Sequence, residues 1–190
     1  MKWSIFGIAL LIGLVLETSM RQLLAFHGVS PSFTACLVVF VALFASRSST
    51  LWACWLIGVL MDIVSAVAWD AHGTFVLIGP HALGYTLAGF AVLQIRAMVF
   101  RRRALTVGVL TLMTVLLASL MAISIFVVRS WYTEPGLSAY LAHRTAMGEL
   151  GHRMGIAMYS GLIALPLGWV LQATLPVWGF EMMGPRRSRR

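Results

Sequence analysis

The chain has 190 residues, of which 60% are hydrophobic and 11% are charged, and its mean hydropathy is +0.91. A soluble domain needs no such apolar excess, so the composition predicts a membrane protein and excludes a large domain outside the bilayer. The net charge is +8, but the basic residues lie beside hydrophobic runs. This placement indicates topology signals and attraction to lipid headgroups, and nucleic-acid binding is not expected. Cys36 and Cys54 lack metal-binding or disulfide spacing, and no metal or other cofactor is expected.

Six apolar runs follow one another along the chain, and a transmembrane helix needs about 20 residues. We predict an all-α polytopic membrane protein with a single domain over residues 1–190 and spans at residues 3–20, 28–45, 51–69, 73–95, 105–128 and 154–175. The first run resembles a signal peptide but has no small-residue cleavage site, so we expect a retained helix. The second run is short for a span, and its boundaries are the least well defined.

Basic residues are distributed unequally between the two sides of this arrangement. One side has Lys2, Arg47, Arg96, Arg101, Arg102, Arg103, Arg186, Arg187, Arg189 and Arg190, and the other has Arg21, Arg129, Arg144 and Arg153. The positive-inside rule therefore predicts that both termini are cytoplasmic, with a basic tail at residues 176–190. It also predicts a periplasmic segment at residues 129–153. That segment is either a helical extension of the last span or an interfacial surface that binds a partner.

Asp62 lies halfway along the third apolar run, where hydrocarbon offers no water to solvate a carboxylate. An aspartate at the centre of a transmembrane helix costs about 2.5–3.5 kcal/mol, so we expect the fold to provide a partner. Gly58 and Ala66 are each four residues from Asp62, and this spacing predicts a close-packed helix face. We expect an interhelical hydrogen bond to either His81 or Tyr85 of the fourth span. A ligand or proton pathway is the alternative.

Other polar and small residues in the spans predict local structure. Glu17 and Arg21 have the spacing of an ion pair within one helix. Ser160, Ala164 and Gly168 form a second small-residue stripe, which is typical of helix packing. The chain contains no GxSxG, HExxH or glycine-rich phosphate-binding motif and no array of aspartates. We therefore do not expect an enzyme, and an intramembrane enzyme is the weakest of the alternatives.

Residues 56–89 contain three motifs in a fixed order. They are a Gly-x-x-x-Asp motif at Gly58 and Asp62, a loop glycine at Gly73, and a Leu-Gly-Tyr-x-x-x-Gly motif at Leu83, Gly84, Tyr85 and Gly89. Together with the chain length, the basic loop after the fourth span and the basic tail, this pattern resembles the rod shape-determining protein MreD family. The chain departs from the family pattern at Ala66, in the Asp-Ala-His-Gly loop that ends at Gly73, and in its long outer segment.

The resemblance implies a non-enzymatic scaffold in the bacterial inner membrane, within the elongation machinery that supports lateral peptidoglycan synthesis and rod shape. It implies MreC as the direct partner, and MreB, RodA and a class B penicillin-binding protein as indirect partners; self-association is left open. The family fold is also similar to the substrate-binding components of energy-coupling-factor transporters. A vitamin-binding transport component is therefore the alternative, with Asp62, His81, Tyr85 and Trp69 lining an outward cavity.

Overall fold

The computed structural model describes residues 1–26, 28–65, 67–70, 73–75, 78–98, 103–129, 131 and 146–180. Its helices are α1 (Trp3–Leu23), α2 (Phe33–Phe44), α3 (Arg47–Val64), α4 (Pro80–Ile95), α5 (Ala104–Arg129), α6 (Ala146–Ala173) and α7 (Leu175–Trp178). A short antiparallel hairpin of β1 (Val67–Asp70) and β2 (Gly73–Phe75) lies between α3 and α4. Apart from this hairpin the described elements are helices, and the predicted all-α class is confirmed.

Within the described part of the chain, four helices are long and apolar enough to cross a membrane, with candidate spans at Trp3–Met20, Arg47–Val64, Ala104–Ile125 and Leu150–Ala173. The other two main helices are shorter: α2 has 12 residues and α4 has 16. At 1.5 Å per residue they are about 18 and 24 Å long, whereas the hydrocarbon core of a bilayer is about 30 Å thick. These two helices therefore differ from the full-length spans predicted at residues 28–45 and 73–95.

The largest difference from the predicted boundaries lies between the third and fourth spans. Residues 67–69 and 73–75 were predicted to be helical, but they form the two strands of the hairpin. The fourth helix begins instead at Pro80, whose fixed φ and missing N–H suit the first helical position. It is preceded by Gly79, which has a φ of +140° that favours glycine.

Helix α2 lies at the centre of the bundle. All residues from 33 to 43 are buried, and α2 packs against α1, α3, α4, α5 and α6. A helix that is apolar on every side is typical of a position enclosed on all faces. The short second run of the sequence is thus a core helix surrounded by longer helices.

Small residues bring neighbouring helices into close contact. A Cβ atom added to Gly58 on α3 would lie 2.6 Å from the carbonyl oxygen of His81 on α4. One added to Gly84 on α4 would lie 2.9 Å from the Cα atom of Ala118 on α5. The close-packed face predicted around Gly58 is therefore directed at α4, and the next contact continues from α4 to α5.

The second small-residue stripe also lies in a helix contact. Ser160 and Ala164 on α6 are buried, and a Cβ atom added to Gly168 would lie 3.0 Å from Cγ1 of Val107 on α5. This is the packing role that the sequence predicted for the stripe. Helices α5 and α6 therefore pack along their small residues.

The C-terminal end of the described chain folds onto the start of α1 and the end of α2. The backbone oxygen of Trp178 accepts a hydrogen bond of 3.0 Å from the N–H of Lys2, and the Trp178 ring lies 5.0 Å from that of Phe40 and 5.5 Å from that of Phe180. The basic tail was predicted to begin at residue 176. Its first residues belong instead to this packed segment, because aromatic side chains there have apolar partners, and residues 181–190 lie outside the described residues.

Gly58→Ala is expected to lower the midpoint of thermal unfolding of the detergent-purified protein. The added methyl group meets the backbone of α4, which cannot escape by changing a rotamer, and such overpacking costs about 1–3 kcal/mol. Gly7→Ala is the matched control, because open space surrounds Gly7 in α1 and alanine favours helix by roughly 1 kcal/mol over glycine. Equal midpoints for the two variants would contradict the close contact between α3 and α4.

Candidate functional site

The Asp62 carboxylate, which is 2% exposed, binds the start of α4 from the last turn of α3. Its Oδ2 atom accepts hydrogen bonds from the backbone N–H groups of Gly79, at 2.7 Å, and Ala82, at 3.1 Å. Its Oδ1 atom accepts one from the backbone N–H of His81 at 2.9 Å. Asp62 is therefore a helix cap supplied by a different helix, in addition to any contact with a side chain.

Every backbone donor at the start of α4 has a partner. The first turn of a helix leaves N–H groups without a carbonyl acceptor in the same helix, and an unpaired donor in apolar surroundings is unfavourable. Pro80 has no N–H, and the N–H of Leu83 bonds the oxygen of Gly79 at 2.8 Å. The remaining donors are the three that Asp62 accepts. Negative charge at this position also complements the positive end of the helix dipole.

The imidazole of His81 completes the set of Asp62 partners, with its Nδ1 atom 2.8 Å from Oδ1. An ionised carboxylate only accepts hydrogen bonds, so with Asp62 in that state Nδ1 is the donor. Of the two partners predicted for Asp62, the structure brings His81 to the carboxylate and not Tyr85. Whether this pair is needed for function stays a prediction.

Glu17 on α1 has the corresponding position at the start of α2. Its Oε2 atom accepts hydrogen bonds from the backbone N–H of Phe33 at 2.7 Å, the N–H of Thr34 at 3.1 Å and the Thr34 hydroxyl at 3.3 Å. The next donor, the N–H of Ala35, bonds the side chain of Ser32 at 3.4 Å. The start of α2 is therefore capped by its own Ser32 and by a carboxylate from the preceding helix.

Tyr85 lies between the two carboxylate caps and is buried. Its hydroxyl oxygen is 3.4 Å from the Ser32 hydroxyl and 3.5 Å from that of Thr34, which in turn bonds Glu17. Its ring contacts that of His81 edge-on, with 6.1 Å between centroids. Tyr85 thus joins the polar groups at the start of α2 to those at the start of α4.

A cavity of about 90 Å³ lies beside these caps. Its polar lining includes Glu17, Ser32, His81, Tyr85, Ser119 and Arg153. Carboxylate, guanidinium, imidazole and hydroxyl groups therefore share one small space, and a cavity lined in this way can hold water or a small polar molecule. Among the described residues, no three His, Cys, Asp or Glu side chains are grouped to hold a metal ion.

The opposite end of α2 is capped by a cation. Arg96, just after α4, donates from Nη1 to the backbone oxygens of Ala45 at 2.7 Å and Ala42 at 3.3 Å. A positive charge at the C-terminal end of a helix complements the helix dipole. The sequence predicted Arg96 only as a topology signal, so this second role was missed.

The other residues of the resemblance motif lie around this site or on the outside of the bundle. Gly89 packs on α3, where an added Cβ atom would lie 2.5 Å from Sγ of Cys54. Gly73 pairs with Asp70 in the hairpin. Leu83 is 53% exposed and points away from the bundle. The motif therefore combines the carboxylate cap, three glycines in close helix contacts, the buried Tyr85, a strand residue and one outward-facing side chain.

Several predicted groups lie outside the described residues. They include Ala66 of the predicted close-packed face, Arg101 and Arg102 of the basic run, residues 132–145 of the outer segment, and the side chains of Arg21 and Trp69. The third arginine of the run, Arg103, precedes α5 and is exposed. The ion pair predicted between Glu17 and Arg21 therefore stays a prediction, while the capping contacts of Glu17 were missed by the sequence.

Fold and site together define a helical membrane protein in which carboxylates of neighbouring helices hold the starts of two short helices. Residues 1–134, which contain both carboxylates and α1 to α5, match the family model described as rod shape-determining protein MreD. The chain therefore belongs to the MreD family, and the resemblance inferred from residues 56–89 is confirmed. Neither a curated protein nor a solved structure matches the chain. The similarity to transporter components stays a prediction.

Asp62→Leu is expected to unfold at a lower temperature than Asp62→Asn, and both at a lower temperature than His81→Phe. Leucine leaves three backbone donors unpaired, at about 1–3 kcal/mol each, and asparagine keeps one acceptor oxygen. His81→Phe leaves all three backbone bonds to Asp62 in place. The measurement is the thermal unfolding midpoint in detergent. If His81→Phe proved as damaging as Asp62→Leu, the side-chain pair rather than the helix cap would hold α3 to α4.

Proposed function

We propose that this protein is a non-enzymatic scaffold of the bacterial cell-elongation machinery that binds MreC in the inner membrane. In this role it supports lateral peptidoglycan synthesis and rod shape, with MreB, RodA and a class B penicillin-binding protein as indirect partners. The observation that carries the proposal is the family match, because the family is described as rod shape-determining. The multi-pass topology with cytoplasmic termini belongs to the same proposal.

The hydrogen bonds that Asp62 accepts support a structural role for this carboxylate. An ionised carboxylate has about four lone-pair sites, and Asp62 accepts four hydrogen bonds from the start of α4. These four bonds hold the carboxylate against the start of α4. Asp62 therefore suits an interhelical lock better than a proton pathway. A bundle held in one shape in this way presents a constant surface to a partner.

The exposure of α1 supports this helix as the surface on which the single span of MreC packs. Only 17% of its apolar window is buried, the lowest share among the four membrane-length helices. Its outward side chains include Ile8, Leu11, Ile12 and Val15. Transmembrane helices associate by close packing of such faces and by hydrogen bonds between them. The outer segment at residues 129–153 would add a contact outside the membrane.

A vitamin-binding transport component remains the alternative. The cavity beside His81 and Tyr85 measures about 90 Å³, whereas pockets for drug-sized ligands measure about 300–1,000 Å³. The size of the cavity therefore favours the scaffold. Purification of the chain with an ATPase module and a bound vitamin would overturn the scaffold proposal.

The protein is expected to co-purify with MreC from detergent-solubilised membranes, and its depletion is expected to convert rods into round cells. Ile12→Trp on α1 is expected to reduce the amount of MreC recovered, because the larger ring keeps a packed helix at a distance. The measurement is the ratio of MreC to this protein after affinity purification.

The matched control is Val170→Trp on α6. Val170 is 50% exposed and Ile12 is 52% exposed, so both substitutions place a tryptophan on an outward helix face. Val170→Trp is expected to leave the recovery of MreC unchanged. Equal losses for the two variants would contradict α1 as the docking face, and normal recovery of MreC with Asp62→Asn would exclude a need for an ionised carboxylate.

Replacing Arg101, Arg102 and Arg103 together with glutamine is expected to weaken the orientation of the chain, because basic residues beside a span retain it on the cytoplasmic side. The measurement is the labelling of single cysteines introduced at the two ends of the chain by a reagent that does not cross the membrane. A direct role of this run in binding MreB predicts a different result, which is normal orientation with loss of recruitment.

A further inference from the structure

Helices α3 and α4 pack against each other and expose large apolar side chains on their outward sides. We call this surface the α3–α4 face. It consists of Trp52 and Trp55 of α3 and Leu83, Leu87 and Phe90 of α4, which are 37–59% exposed. The three α4 residues are four and three positions apart, so they lie on the same side of that helix.

Polar groups limit the α3–α4 face at both ends. At one end the exposed Arg47 of α3 places its guanidinium carbon 5.6 Å from the centre of the Phe90 ring, and this contact joins the two helices. Gln94, on the same side of α4 as Phe90, is exposed and polar. At the other end the side chain of His81 is 26% exposed and binds Asp62. From His81 to Gln94 the helix rises about 20 Å at 1.5 Å per residue.

The two tryptophans of α3 support the same limit. Their rings lie edge-on with 5.9 Å between centroids, and tryptophan side chains prefer the level of the lipid headgroups. From Trp55 to Val64, the last residue of α3, the helix rises only about 14 Å. The candidate span in α3 also has a mean hydropathy of 1.2, the lowest among the four membrane-length helices.

Helix α5 exposes a much longer apolar face. Its exposed residues include Leu105, Val109, Met113, Leu120 and Val128, and the first and last of these lie about 35 Å apart along the helix. A hydrocarbon core is about 30 Å thick, so it fits the face of α5 and exceeds the α3–α4 face by about 10 Å. The apolar surface of the protein is therefore thinner on the side of α3 and α4.

We propose that the α3–α4 face binds lipids with short acyl chains and thins the bilayer beside it. An apolar stretch that is shorter than the bilayer is accommodated by thinning, by snorkelling of flanking residues or by self-association. Helices that associate in membranes do so through small residues. The glycines of these two helices, Gly58, Gly84 and Gly89, all contact neighbouring helices of the same chain. The large side chains that remain outside suit lipid chains as their partners.

The test attaches a thiol-reactive fluorophore to the full chain at Leu87→Cys on the α3–α4 face or at Met113→Cys on α5. Leu87 is 40% exposed and Met113 is 56% exposed. The native Cys36 and Cys54 are buried, and the unsubstituted chain measures any labelling of them. Each labelled protein is reconstituted in vesicles of equal parts dimyristoleoyl and dierucoyl phosphatidylcholine. Bromine on the chains of one lipid at a time quenches a fluorophore that this lipid contacts.

The ratio of quenching by the short lipid to quenching by the long lipid is expected to be at least twofold higher at Leu87→Cys than at Met113→Cys. The reason is that hydrophobic mismatch costs a fraction of a kcal/mol per Å, which short lipids relieve. Comparing the ratio between two positions removes the difference in quenching strength between the two brominated lipids. Equal ratios at the two positions would overturn the proposal.

Gln94→Leu is expected to lower the ratio at Leu87→Cys toward the value at Met113→Cys. It removes a polar limit and extends the α3–α4 face to Met98, which is 87% exposed. Ser124→Leu is the matched control, because it also replaces an exposed polar residue but lies on the long face of α5. It is expected to leave the ratio at Leu87→Cys unchanged. No response to Gln94→Leu would overturn the polar groups as the limit of the face.

A second copy of the chain on the α3–α4 face predicts a different result. Both lipids would then quench the Leu87→Cys label weakly, and the unlabelled Leu87→Cys protein would form disulfide-linked dimers. This outcome would overturn lipid as the occupant. The vesicles contain no MreC, so failure of the lipid proposal and failure of the scaffold role are distinguishable.

Discussion

The rest of the structure depends on the need to satisfy the backbone donors of two helices that begin inside an apolar bundle. Helix α2 has 12 residues and its residues 33–43 are buried, so its first N–H groups lie in largely apolar surroundings. In such surroundings these groups need acceptors from the protein. Glu17 supplies them at one end of α2 and Arg96 binds the carbonyl groups at the other. The core helix is therefore held at both ends by charges from its neighbours.

At two places in the chain, a carboxylate near the end of one helix caps the start of the next. The end of α1 caps the start of α2 through Glu17, and the end of α3 caps the start of α4 through Asp62. Each carboxylate holds a pair of consecutive helices, and Tyr85 lies between the two caps. At each contact the carboxylate accepts hydrogen bonds from backbone N–H groups at the start of the next helix. These bonds stabilise one arrangement of the helices. The proposed scaffold role requires such a constant shape, and a small polar cavity lies beside the two caps.

Some of the site could be predicted, because the sequence shows which charged residues lie within apolar runs and how far apart they are. Asp62 stands out because a carboxylate within an apolar run needs a partner, and His81 was one of the two partners expected on the fourth span. The capping role of Glu17 was missed because its spacing to Arg21 indicated a local pair. Its actual partners, at Phe33 and Thr34, lie at the start of a helix whose first residue was predicted five positions too early. The capping role of Arg96 was missed because its acceptors are backbone carbonyl oxygens, which are present at every residue.

The sequence by itself determined the membrane class, the all-α fold and the family, because hydropathy and the order of short motifs are properties of the chain alone. Only the tertiary structure decided that α2 and α4 are too short to be ordinary spans, and that Asp62, Glu17 and Arg96 bind helix ends. The physical reason is that every residue offers the same backbone N–H and carbonyl groups. Which of these groups remain unpaired, and which side chains reach them, is settled only when the helices are packed together.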